Sequence, residues 1–324
     1  RGNNMMKKKY TLFVIVLIII VVIAGCAVNS SKEKDPEDPK KVEEQMAQAE
    51  KKEKEKMERV FENLIKEKSE PYKLVEFIDD NISKASSDYA EKMLLELESM
   101  QKSYEVHYMD ELFKDNRQSK LIEVFPHYEF DKNKIDNIED EKLRELITRI
   151  IDGKYKIVST EGYFYIVTDY KGFDNYKKYV SDEISSFIEI KAIHLDTPPM
   201  IDGAVIIPWD EISNRLINLE EYLKKYPDGA KSEEITRLYG EYLVMYMSGG
   251  DNTPIYNIEN KIIFDDILES YKKTIANNKE SITGNTISKY LELIEENEYI
   301  IDETITSKII DFNNEAIGDL EEHK

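Results

Sequence analysis

The chain is expected to fold as a mainly α protein with a small central β-hairpin and a C-terminal α-hairpin repeat. Three observations lead there. From Met57 onward apolar residues recur at helical spacing, beginning with Met57, Val60, Phe61, Leu64 and Ile65. One stretch departs from that period: Tyr155–Val158 and Tyr163–Thr168 are rich in aromatic and β-branched residues and flank Glu161-Gly162. From about Trp209 the helical pattern returns as two faintly similar helix–turn–helix units.

The N-terminal region is the most specific. A basic patch, Lys7-Lys8-Lys9, precedes an uninterrupted apolar run from Leu12 to Ala24, and Cys26, the only cysteine, closes it. Lysines hold such a segment's start at the anionic cytoplasmic face while the apolar part enters the bilayer. Ile23-Ala24-Gly25-Cys26 resembles the lipobox of bacterial lipoprotein precursors. The resemblance implies a diacylglyceryl group on the Cys26 thiol, cleavage between Gly25 and Cys26, and a protein lipid-anchored on the extracytoplasmic face of the cell membrane. Two acyl chains, at about 0.8 kcal/mol per buried methylene, anchor stably where one does not. Lipidation would also consume the thiol, so no disulfide could form. The alternative is an uncleaved membrane helix, because Thr11–Val28 spans 18 residues, about the minimum for crossing. Arg1–Asn4 precede the first methionine and read as upstream sequence or a cloning remnant. The expected signal peptide is therefore 1–25, natively 5–25.

Residues 26–56 are expected to be a charged linker. Lys32–Lys56 holds 8 basic and 9 acidic residues and almost nothing apolar. Such a tract buries too little surface to offset its conformational entropy. It should be disordered or a solvated single helix. A coiled coil is the alternative, although its seam would have to seat Glu53 and Lys56 beside Met46 and Ala49.

Residues 57–200 are expected to form a helical module around the hairpin at 155–168. Ser69 and Pro71 end the first helix and start the next. Leu74–Ile78, Tyr89–Leu97, Met109–Phe113 and Leu143–Ile150 mark further helices, the last closed by Asp152-Gly153. Tyr163–Val167 is apolar on both faces, so both should be covered. A lone hairpin is marginal in water, and Ala204–Ile207 is the candidate third strand.

Residues 201–312 are expected to be a helical repeat module, followed by an acidic tail at 313–324. Leu219–Asp228 can be laid on Leu268–Asn277 at an offset of 49 residues, which grows to 51 by Tyr239 and Tyr290. Tyr222-Leu223-Lys224-Lys225-Tyr226-Pro227-Asp228 resembles a stretch of tetratricopeptide-type bacterial lipoproteins. That resemblance implies tyrosines packed between paired helices and a Pro-Asp turn. The period exceeds the usual ~34 residues, so two α-hairpins are expected rather than an array. Anchor, linker, hairpin and repeat together resemble surface lipoproteins of low-GC Gram-positive bacteria, a likeness that implies location and no activity.

Net charge is −21, charged residues make up 34%, and mean hydropathy is −0.56. Residues 200–324 hold 12 basic and 26 acidic side chains. Phosphate backbones and anionic lipids repel such a surface, so no nucleic-acid partner is expected.

Little local chemistry is legible. His107, His127, His194 and His323 have no zinc-ligand spacing, and Cys26 is committed to lipid, so neither metal nor cofactor is expected. Asp131–Asp136 begins like an EF-hand loop but places Ile135 at a ligand position. No Gly-x-Ser-x-Gly turn and no phosphate-cradling glycine loop occurs. Tyr222, Tyr226, Tyr239 and Tyr242 recur at helical intervals, which points either to core or to a ligand groove. Trp209 should anchor the junction between the two modules. The expected function is a non-enzymatic binding or scaffolding module at the cell envelope, tethered to the membrane, with an envelope protein as partner. The alternatives are the substrate-binding component of an uptake system, against which the lack of βαβ alternation stands, and a cell-wall-modifying enzyme.

Overall fold

The structure, a computed structural model, describes residues 39–322. Gly25, Cys26 and His323 lie outside the described residues. The described residues fall into two units, 39–55 and 56–322. Helix α1 spans Pro39–Lys66. In the first unit its residues from Glu43 to Glu55 are exposed. They belong to the charged linker expected at 26–56, and Lys51 pairs with Glu55 one turn on at 4.0 Å. Among the described residues no helix is long and apolar enough to cross a membrane.

The second unit is mainly α. Pro71 opens α2 (Pro71–Asn81), where a missing N–H costs nothing. Next come α3 (Ser87–Phe113), α4 (Arg117–Val124) and α5 (Glu141–Asp152). The pieces expected at Tyr89–Leu97 and Met109–Phe113 are one helix, because no Pro or Gly interrupts α3. Its first half, through Ala90, Met93, Leu94 and Leu97, joins the larger core. Its last turns, through Tyr108 and Leu112, join a second core around the hairpin.

That hairpin forms where expected. Strands β1 (Tyr155–Thr160) and β2 (Tyr163–Thr168) pair antiparallel from Tyr155↔Thr168 to Thr160↔Tyr163. Glu161 and Gly162 both adopt positive φ, +49° and +78°, the two-residue turn whose twist suits a hairpin. Two expectations are corrected. Only one face of β2 is buried: Phe164, Ile166 and Thr168 point in, while Tyr163 is exposed. Among the described residues no third strand joins either. Ala204-Val205 (β4) pairs with Met200-Ile201 (β3) in a separate sheet. One glutamine side chain takes over the missing strand's role at Phe164, and a second binds the link before β1. Gln118 donates to the Phe164 carbonyl at 2.9 Å and accepts from its N–H at 2.8 Å. Gln101 donates to the Gly153 carbonyl at 2.8 Å.

Helix α6 (Asp182–Asp196) leads to two helical hairpins. The first is α7 (Trp209–Lys225) with α8 (Ser232–Ser248), and the second is α9 (Asp265–Asn277) with α10 (Ile282–Glu296). The repeat is thus two paired-helix units, as its period suggested. Between them lie β5 (Gly249-Gly250) and β6 (Thr253-Pro254). Trp209 opens α7, and its ring sits 6.4 Å from that of Tyr246. The boundary expected at 200/201 divides nothing, since one core runs from Phe61 to Leu320. The acidic tail is also corrected. After the short α11 (Glu303–Thr306), helix α12 (Ile309–Glu322) buries Ile309, Ala316 and Leu320. Its Phe312 ring lies 5.7 Å from that of Tyr290. Acidic composition hid a three-residue apolar stripe.

Candidate functional site

Three of the four singled-out tyrosines are core: Tyr222, Tyr239 and Tyr242 are 3%, 0% and 2% exposed. Their spacing puts the rings at helix–helix contacts, where each hydroxyl finds a different partner. Tyr222 donates to Glu183 at 3.3 Å, and Tyr239 meets the Thr283 hydroxyl at 3.0 Å. Tyr226 is half-buried, edge-on to Tyr222 at 5.1 Å, with the Lys225 ammonium 5.0 Å from its ring centre. The four therefore line no common groove. Their repeat counterparts Tyr271 and Tyr290 donate to the carbonyls of Tyr246 and Met247 at 2.7 and 2.9 Å.

Tyr242 borders a cavity of about 30 Å³ between α6, α7 and α8. Ile190, Leu219 and Leu238 make its apolar wall, and His194, Arg215 and Tyr242 its polar one. The Tyr242 hydroxyl accepts from Arg215 Nη1 at 3.1 Å and lies 3.1 Å from His194 Nδ1. Arg215 also donates to the Thr197 carbonyl at 2.7 Å and to Glu211 at 2.9 Å. Burial pushes His194 down to about 4, with the Lys191 and Arg215 charges adding to the effect. The imidazole is therefore neutral near pH 7. A hydroxyl that accepts from Arg215 and donates to Nδ1 satisfies the set and leaves the proton on Nε2. A general base works best with its pKa near the operating pH. His194 is far below that, and the hydroxyl on its ring, that of Tyr242, is engaged by Arg215, so the trio is suited to orienting a small polar group.

A second cluster joins α3, α6, α8 and the 3-10 segment Tyr170–Tyr179. Glu98, 3% exposed, pairs with Lys231 and with Lys102 at 3.3 Å, and accepts from the Tyr170 hydroxyl. Glu234 pairs with Lys102 at 3.0 Å and Lys191 at 2.9 Å. Burial raises the Glu234 pKa, but the Lys191 and Lys102 ammoniums outweigh it and hold the group at about 2. The Lys231 ammonium also sits 4.8 Å from the Phe187 ring centre. Each carboxylate thus meets at least two ammoniums, an arrangement that ties helices together.

The other sequence-level candidates are dispersed. His107 and His127 are exposed and far from one another in sequence. Asp131 caps a 3-10 turn by accepting from the Asn133 N–H at 3.0 Å. Among the described residues no group of three His, Cys, Asp or Glu could hold a metal. Neither the His194–Tyr242–Arg215 trio nor the Glu98 cluster was foreseen. The Arg215–Tyr242 and Lys231–Glu98 bonds that close them span 27 and 133 residues, and no local spacing announces them.

No protein-family model matches the chain, no curated protein is significantly similar to it, and no solved structure matches it.

Proposed function

We propose that the chain is a bacterial lipoprotein, anchored through Cys26 to the extracytoplasmic face of the cell membrane, whose ectodomain is a non-enzymatic binding or scaffolding module. The observation that carries this reading is the position of the only cysteine. It follows Ile23-Ala24-Gly25 at the end of an apolar run that begins just after three lysines. An exposed, charge-dense helix after the anchor supports a spacer between membrane and ectodomain. The ectodomain's buried ionisable groups are engaged with one another, which favours binding over catalysis. Glu98, Glu220 and Arg215 each have charged partners.

Metabolic labelling with an alkyne fatty acid in a bacterial host tests the reading. The wild-type chain should carry the label and begin at Cys26. Cys26→Ser should lose the label and accumulate as precursor. Normal processing of that variant would end the proposal.

A further inference from the structure

The far end of the second helical hairpin carries an apolar face that the fold leaves in solvent. Three short segments build it. Residues 261–264 lie between 255–257 and 299–301, with Tyr256 opposite Ile263 and Ile262 opposite Ile300. Backbone bonds fasten them: Phe264 N–H donates to the Ile255 carbonyl at 3.0 Å, and Ile301 N–H to the Lys261 carbonyl at 2.8 Å. Strand alternation then sorts the side chains. Ile255, Ile263 and Ile301 point into the core, while Ile262, Phe264 and Ile300 point out. Ile262 is 46% exposed and Ile258, in the adjoining turn, 69%. A concavity of about 440 Å³ opens beside them between Pro254, Tyr256, Ile258 and Phe264.

The segments that build and flank this face are one-signed. Residues 251–266 and 295–303 contain nine exposed carboxylates, four in the first stretch and five in the second, against the single cation Lys261. Clustered exposed apolar side chains with a polar rim mark interaction surfaces, and the sign of the rim selects the partner. A second copy would bring nine carboxylates against nine. An anionic membrane is repelled for the same reason.

We propose that this face binds a short cationic segment of a partner protein, in which lysine or arginine alternates with apolar side chains. The apolar groups fill the concavity and cover Ile262, Phe264 and Ile300, and the cations meet the carboxylate rim. The proposal deepens the binding-module reading and rests on it for its biological meaning.

The test is selection of a random dodecapeptide display library on the full chain held in phosphatidylcholine nanodiscs. Expected are peptides enriched in Lys or Arg and apolar residues. They should bind Ile262→Ser/Ile300→Ser at least tenfold more weakly and lose affinity as salt rises. A second variant, Glu259→Lys/Glu298→Lys, leaves the apolar face intact and should weaken the same peptides comparably, so a folding defect in the first does not decide the matter. Enrichment of acidic or uncharged peptides would overturn the proposal, as would binding to both variants as tight as to the unmodified chain. A dimer in sedimentation that Ile262→Ser/Ile300→Ser dissolves would also overturn it, by giving the face to a second copy. Fatty-acid labelling at Cys26 is read independently, so failure of the anchor and failure of this surface are separable.

Discussion

Glu98 and Glu220 are 3% and 2% exposed, yet they are held in different ways. Side chains hold Glu98: Lys231, Lys102 and the Tyr170 hydroxyl. Glu220, on α7, mostly faces the backbone. It accepts from the N–H groups of Ile282 and Thr283, both at 2.8 Å, from the Thr283 hydroxyl at 2.7 Å, and from Lys224 at 2.6 Å. Those N–H groups belong to the first turn of α10, where unpaired donors and the helix dipole favour an anion. Burial raises the Glu220 pKa, but bonds from Lys224, Thr283 and Ile282 outweigh it and leave it lowered. One carboxylate joins elements distant in sequence through ions, and the other clasps the first helical hairpin to the second through a helix N-terminus. Side-chain partners can be exchanged together, whereas backbone partners cannot. The Glu98 site should therefore be replaceable as a unit and the Glu220 site should not.

The largest expected effect is at Glu98. Glu98→Ala leaves the Lys231 ammonium, whose side chain is only 13% exposed, without its closest partner, and should cost about 3–5 kcal/mol in urea unfolding at unchanged m. Adding Lys231→Met and Tyr170→Phe to Glu98→Leu should recover most of that loss, since apolar groups can replace a buried ion pair when no polar partner is left behind. Glu220→Ala should cost about 2–3 kcal/mol through orphaned donors. Adding Lys224→Met should recover little of it. Equal recovery at both sites would erase the distinction.

Acid sharpens the comparison. Glu234 in the Glu98 cluster falls from 4.5 to about 2, so its contribution is complete above about pH 4.5 and is lost as pH falls through about 2. His194 falls from 6.5 to about 4, so its contribution is complete above about pH 6.5 and is lost as pH falls through about 4. Urea midpoints should therefore decline in two overlapping stages on acidification. Glu234→Gln should flatten the lower stage and His194→Gln the upper. Unaltered slopes in both variants would contradict these assignments.

The smallest effect belongs to the exposed apolar face. Ile262→Ser should change the melting temperature by less than about 2 °C, because surface substitutions stay within about 0.5 kcal/mol. Tyr271→Ala, in the same hairpin but fully buried, should by contrast cost about 3–5 kcal/mol. A large loss at Ile262 would show that the face is structural.

The fold was more legible than the site. Met57–Ile65, Leu143–Ile150 and the Glu161-Gly162 turn announce their elements because a few neighbouring residues decide them. The third strand expected at Ala204–Ile207 failed because strand pairing is a choice among distant partners, and Gln118 had already satisfied Phe164. The tail at 313–324 failed because composition was weighed above the spacing of Ile309, Ala316 and Leu320.

Helix class, the hairpin turn, the two-unit repeat and the acidic balance could be read from the chain because each depends on residues within a few turns of one another. The burial of Glu98 against Lys231, the engagement of Tyr242 with His194 and Arg215, and the outward set of Ile262, Phe264 and Ile300 could not. These depend on which of many like residues meet once long loops close. Sixty-six carboxylates look alike in one dimension; only packing chooses those that sit between ammoniums or at a helix N-terminus.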